Sequence, residues 1–173
     1  RGECAQFCRM KFDLTDSNDK LLYQQLHLLS LKDMCQINHL EQLLEAGVVS
    51  LKIEGRLKDT TYVKNVVAAY STRLNEIIAK CPNKYKRSSL GHCQYAFTPN
   101  LSKTFNRGYT TYFLNGRIAD ISSPATPKAI GQFVGKVKAI NNNNFTVASI
   151  EAFANGDGLC FIGPDGQLTG FRV

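Results

Sequence analysis

The chain has 173 residues, 43% hydrophobic and 20% charged, with no long low-complexity tract, which excludes a disordered polymer and allows one good core or two small ones. Twenty-one Lys and Arg against 14 Asp and Glu give a formal charge of +7, a balance that favours an anionic partner such as RNA and equally suits a surface charged for solubility. No apolar run approaches the roughly 20 residues that cross a bilayer and the N-terminus lacks signal-peptide order, so no membrane segment and a cytoplasmic location are expected.

In chain order, the opening RGECAQFCR places Cys4 and Cys8 in a C-x3-C arrangement beside Arg9. A helix is predicted from Ser30, which caps it at capping-box spacing from Asp33, while Ile37, Leu40, Leu43 and Leu44 form its apolar face and Gly47 stops it. Cys35 then lies near that helix's N-terminus, where amides and the helix dipole stabilise a thiolate. The following VVSLKIEG reads as a largely buried strand. A second helix is predicted from near Asp59 to Lys80, because Val63, Val66, Tyr70, Leu74 and Ile77 recur at helical spacing. Helix, strand, helix suits a piece of an α/β domain, yet one strand cannot make a sheet, so this third looks incomplete.

Pro82 follows as a stop, and CPNKYKRSSLGHC is polar and basic enough for a linker or exposed loop. Its Lys84, Lys86 and Arg87 suit contact with nucleic acid or simple solvation. Beyond SSPATPKA the period changes: IGQFVGKVKAI, NFTVASI and GLCFI read as strands, NNNN as a hairpin turn, and FIGPDGQLTGFRV as another hairpin through Pro164, Asp165 and Gly166. The expected result is a small antiparallel β-barrel, with Cys160 in its core.

Six cysteines among periodic helices read as reduced thiols rather than a secreted disulfide framework. Four thiolates hold an iron–sulfur cluster and soft sulfur also suits zinc, but without a C-x-x-C pair the spacing alone leaves metal binding and ordinary thiols both open. Cys35 and His39, four apart, would share a helix face as a nucleophile and base; no His-Glu-x-x-His motif or Gly-x-Ser-x-Gly elbow occurs.

The words RGECAQFCR, LLSLKDMC, AGVVSLKIEGRLKDTTYV and TFNRGYT, in this order, resemble the peptidase U32 family of collagenase-like proteases. The resemblance implies α/β plus β architecture: the last strand and helices of a TIM-like barrel domain over 1–81, a linker or exposed loop over 82–103, and a small β-barrel-like domain over 104–173. A whole barrel enzyme takes roughly 250 residues, so this chain is expected to be a fragment of a longer protein. Several family members are iron–sulfur proteins of hydroxylation pathways, and the tail resembles a long branch acting on 23S rRNA. In the family, a [4Fe-4S] cluster is held by two upstream cysteines, the Arg-Gly-x-Cys cysteine and the Lys-Asp-x-Cys cysteine. The last two match Cys4 and Cys35; the first two have no counterpart here, so the cluster is expected to be absent or incomplete in this chain, with Cys8 supporting.

Lys52, Glu54 and Arg56 lie at and just beyond the end of the predicted strand, where barrel enzymes place working groups. Glu54 would orient substrate or move a proton and Arg56 would bind an anion; a buried pair fixing the barrel top is the structural alternative. Arg9, Asn106, Arg107 and Tyr109 are expected substrate-binding groups, the last three in FNRGYTTYF, whose aromatics either stack with bases or pack the domain junction. The leading expectation is iron–sulfur-dependent hydroxylation of a cytidine in 23S rRNA with a prephenate-derived co-substrate. A collagenase-like peptidase and a non-catalytic RNA- or protein-binding module are the alternatives.

Overall fold

A computed structural model describes residues 3–142, 144–149 and 151–173. Arg1 and Gly2 of the first motif, Asn143 of the asparagine run and Ile150 lie outside the described residues. The elements are β1 (Phe12–Thr15), β2 (Leu21–Leu26), β3 (Asp33–Met34), α1 (Leu40–Glu45), α2 (Thr60–Lys80), β4 (Tyr109–Thr110), β5 (Lys136–Asn141), β6 (Asn144–Ala148), β7 (Gly158–Ile162) and β8 (Leu168–Arg172). Short 3-10 turns occupy Phe7–Arg9, Ile37–His39 and Leu101–Lys103.

The long helix α2 forms where its periodicity places it. Asp59 caps it by accepting a 2.7 Å hydrogen bond from the Tyr62 amide, and Cys81 and Pro82 end it. Its inner face buries Asn65, Val66, Ala68, Ala69 and Ile77, and the core is completed by Leu40 from α1. The small Ala68 and Ala69 allow close approach, whereas Val63 of the predicted apolar face stays more than a third exposed. Asn65 fastens α2 to the later chain: its Nδ2 donates to the Asn100 carbonyl at 2.7 Å and its Oδ1 accepts from the Asn100 amide at 2.9 Å. The basic loop folds back on the same helix, with Arg87 donating to Asn75 Oδ1 at 2.6 Å and to Ser71.

The helix expected from Ser30 begins instead at Leu40, after the Ile37–His39 turn. The amides of Lys32, Asp33 and Cys35 donate to the carbonyls of Ile121, Gly108 and Thr110, at 2.9, 2.9 and 3.0 Å, so they are unavailable for a helical ladder. Ser30 is fully buried beside this pairing and caps nothing. Gly47 does end α1: it adopts φ +92°, and its amide and that of Val48 close on Leu44 and Leu43.

The barrel architectures are not found. Among the described residues the strands make four separate two-stranded sheets, β1–β2, β3–β4, β5–β6 and β7–β8; β3–β4 is parallel and the rest are antiparallel hairpins. A barrel needs each strand to have a hydrogen-bonded neighbour on both sides, and each of these has one. Thus neither the strand and helices of a TIM-like barrel nor a closed β-barrel describes the chain. The predicted strand in VVSLKIEG is irregular chain without a ladder partner, and Val49 on it is 97% exposed.

Both C-terminal hairpins occur where Asn and Gly turns predict them. Gly135 precedes β5 at φ +149°, and a Cβ there would lie 2.2 Å from the Ala148 carbonyl oxygen, so only glycine allows β6 to approach. The hairpins meet through Phe145 and Phe171, edge to face at 5.4 Å. Cys160 is exposed rather than in a core, with its thiol directed at the Ile130 carbonyl at 3.6 Å. The β1–β2 hairpin had no counterpart among the sequence expectations; its open strands bury little and leave a weak alternation.

Candidate functional site

The short parallel pair β3–β4 brings two distant motifs together. Asp33 and Met34 of LKDMC lie opposite Tyr109 and Thr110 of NRGYT. Arg107 locks the junction: its Nε and Nη2 donate to the Asp33 carboxylate at 3.2 and 3.0 Å, and its backbone amide donates to the same carboxylate at 2.8 Å. Both side chains are largely shielded from solvent, and the fork geometry matches a carboxylate. The guanidinium is therefore committed to Asp33. Asn106 is buried and similarly committed, donating from Nδ2 to the Ser102 and Thr104 carbonyls and accepting the Gly108 amide at Oδ1, so it shapes the loop.

Directly after β3, Cys35 is half-buried and its sulfur accepts from the Tyr70 hydroxyl at 3.8 Å. The same hydroxyl oxygen accepts the Gln36 amide at 2.9 Å, and Gln36 Nε2 donates to the Thr111 carbonyl at 2.7 Å. Burial pushes the Tyr70 hydroxyl up to about 12, so it keeps its proton at neutral pH. His39 instead lies 3.5 Å from Asn115, outside this arrangement.

These groups open onto a cavity of about 710 Å³, whose lining includes both Cys4 and Cys35. Arg9, Lys52, Glu54 and Arg56 line it from irregular chain or a 3-10 turn, and Arg107 and Tyr109 line it from beside and within β4. Asn106 and Cys8 are not in the lining. The Arg56 amide donates to Glu54 at 3.2 Å and Lys52 lies 3.7 Å from the same carboxylate; the amide first and the Lys52 charge second hold the Glu54 carboxyl below its ordinary value. This pair is open to water, with side chains 87% and 70% exposed, and is not the buried pair envisaged as an alternative. Tyr109 donates to the Leu101 carbonyl at 2.7 Å, and burial raises its hydroxyl well above the usual range.

Sequence reasoning missed Lys58, Tyr62 and Tyr70 as cavity groups. Lys58 rests its ammonium 3.0 Å from the Phe105 ring centroid and 5.6 Å from that of Tyr62, a cation–π setting whose burial lowers its pKa. The signal available was its place in GRLKD, two residues beyond Arg56. A second cavity of about 660 Å³ lies between the start of α2 and the β7–β8 hairpin, sharing Tyr62 with the first and containing none of the sequence-predicted site residues.

Two soft sulfur donors on one cavity, one exposed and one half-buried, fit half of a four-thiolate cluster set. No group of three or more His, Cys, Asp or Glu placed to hold a metal occurs among the described residues. No helix among them is long and apolar enough to cross a membrane.

Comparison with known proteins accords with the motif pairing. The model of peptidase family U32 matches residues 1–123. The chain is 44% identical over 173 residues, its whole length, to a protein of Escherichia coli named 23S rRNA 5-hydroxycytidine C2501 synthase, covering 26% of that relative. It is 31% identical over 176 residues to the Bacillus subtilis tRNA hydroxylation protein P1, covering 95% of the chain and 40% of the relative. A collagenase of Porphyromonas gingivalis is 29% identical over 177 residues, with 98% of the chain and 40% of the relative covered. The chain thus spans well under two thirds of the length of these relatives. No solved structure matches it significantly. With the family match covering both motifs that β3 and β4 join, the chain belongs to peptidase family U32.

Proposed function

We propose that the protein takes part in hydroxylating a cytidine of 23S rRNA, with Cys4 and Cys35 as two thiolate ligands of a [4Fe-4S] cluster. The observation that carries this reading is the single cavity facing both cysteines and the cationic groups Arg9, Lys52, Arg56 and Lys58. Identity along the whole chain to a relative named for 23S rRNA hydroxylation supports it. When bound, such a cluster supplies either one-electron chemistry or a structural link between its ligands.

The chain's own groups have separate tasks. Arg9, Lys52 and Arg56 attract an anion, either RNA phosphate or the carboxylate of a prephenate-derived co-substrate. Replacing a ring C–H by C–OH is a two-electron oxidation, so the reaction needs a two-electron acceptor in addition to a hydroxyl donor whose own oxygen is at the alcohol level. Glu54, held deprotonated by the Arg56 amide and Lys52, orients substrate or accepts a proton rather than donating one at neutral pH. Arg107 and Asn106 fix the wall behind the site, while Tyr109 and Tyr62 offer aromatic surface to a base.

Nucleoside mass spectrometry of 23S rRNA from cells with and without the gene tests the reading. Deletion should remove 5-hydroxycytidine and wild type should restore it, while Cys4→Ala and Cys35→Ala should lose iron and product together. An unchanged nucleoside profile on deletion refutes the rRNA assignment, and full iron in both variants refutes the ligand assignment. The relatives named collagenase favour a second reading, peptide-bond cleavage. It predicts hydrolysis by the purified intact protein and no RNA lesion when the gene is lost.

A further inference from the structure

Cys35 sits at the end of a hydrogen-bond relay built from three parts of the chain. Its amide is fixed by the Thr110 carbonyl at 3.0 Å, which sets where the residue leaves β3. The next amide, Gln36, donates to the Tyr70 oxygen at 2.9 Å, and Gln36 Nε2 anchors to Thr111 at 2.7 Å. Tyr70 projects from α2, the best-formed element of the chain, and its hydroxyl has one hydrogen. Because the oxygen is already an acceptor from Gln36, that hydrogen is free for the Cys35 sulfur, 3.8 Å away.

We infer that Tyr70 is a positioning residue for Cys35, holding its sulfur toward the cavity and donating the hydrogen bond that tunes a sulfur-bound cluster. This rests on the proposal that Cys35 is a cluster ligand. A donor to a ligating sulfur stabilises the more electron-rich, reduced form more than the oxidised form, so it raises the reduction potential. Without the Tyr70 proton the Thr110 carbonyl still holds the Cys35 backbone, but the sulfur loses both its orienting contact and that stabilisation. Cys4 lies in irregular chain before the Phe7–Arg9 turn and is exposed, so the two ligands are held unequally.

The test uses the intact protein purified anaerobically with its cluster, comparing wild type, Tyr70→Phe and Cys35→Ala. Iron content, a redox titration followed by electron paramagnetic resonance, and the Fe–S(Cys) stretching bands in resonance Raman are read for each. Tyr70→Phe should retain iron while its reduced-to-oxidised ratio at fixed potential falls about two- to tenfold, the range for one hydrogen bond. At 59 mV per tenfold for one electron this is a shift of about 20–60 mV to more negative potential. An Fe–S band should move with it.

Full iron with unchanged potential and Raman bands in Tyr70→Phe, while Cys35→Ala loses iron, overturns the role of Tyr70 alone. Full iron in Cys35→Ala overturns the ligand assignment and this inference with it. If Tyr70→Phe loses its iron, 3-fluorotyrosine at position 70 decides the matter. It keeps the shape and the Gln36 contact but is a stronger donor, so the potential must move positive; an unmoved potential overturns the inference.

Discussion

Replacing Arg107 with Ala distinguishes a structural clamp from a substrate contact. Two of the three hydrogen bonds into Asp33 come from this guanidinium, at 3.2 and 3.0 Å, and the third comes from the Arg107 amide, which survives the substitution. Removing one member of a fully buried pair costs about 3–5 kcal/mol, mainly by stranding the other charge. Here 18% of the Arg107 and 23% of the Asp33 side chain reaches solvent, so water recovers part of that loss and about 2–3 kcal/mol is expected. Urea unfolding of the intact protein measures it. Arg107→Lys should recover less than half, because an ammonium cannot make the two-pronged contact. A double-mutant cycle with Asp33→Asn should return a coupling of at least ~1.5 kcal/mol. The reasoning is refuted if Arg107→Ala unfolds within ~0.5 kcal/mol of wild type while RNA binding collapses. That result would assign the guanidinium to an anion in the cavity.

Asp59→Ala should destabilise by ~1 kcal/mol through loss of the cap on the Tyr62 amide, and Asp59→Asn should restore most of it in the same unfolding assay. Asn65→Ala leaves the Asn100 amide and carbonyl without their partner and should cost about 2–4 kcal/mol; a loss below ~1 kcal/mol would mean that water enters and replaces both bonds. The Glu54 carboxyl should titrate below 4.5 by carbon-13 NMR, and Lys52→Met should raise its midpoint only partway, because the Arg56 amide is the larger cause. With the folded value depressed, its small stabilising contribution is present above the ordinary carboxylate value and disappears as pH falls through the folded one. The carboxylate is exposed, so measured stability should scarcely change while the NMR midpoint does.

Several parts of the candidate site were legible because their signals are short and local. Cys4 and Cys35 stand in distinctive words, and the cavity receives both. Lys52, Glu54 and Arg56 were grouped by sequence adjacency, and the structure keeps them on the same cavity without the strand expected to carry them. Arg107 was legible as an important residue but its partner was not: Asp33 lies 74 positions away, and arginine opposite phosphate or carboxylate looks the same in a sequence. Tyr70 was read only as one tooth of a helical apolar face; its hydroxyl found Cys35 across 35 positions.

The amino-acid order by itself determined α2, its Asp59 cap, the Gly47 stop and the two C-terminal hairpins. Each depends on backbone dihedrals and bonds between residues a few positions apart, so the neighbours carry the necessary energies. Tertiary structure decided the segment from Ser30 to Cys35, where amides that would serve a helix pair with residues 108–121 instead. It also decided that VVSLKIEG makes no strand and that the hairpins close no barrel. A sheet exists only where another backbone arrives to fill its hydrogen bonds, and local periodicity does not specify that neighbour.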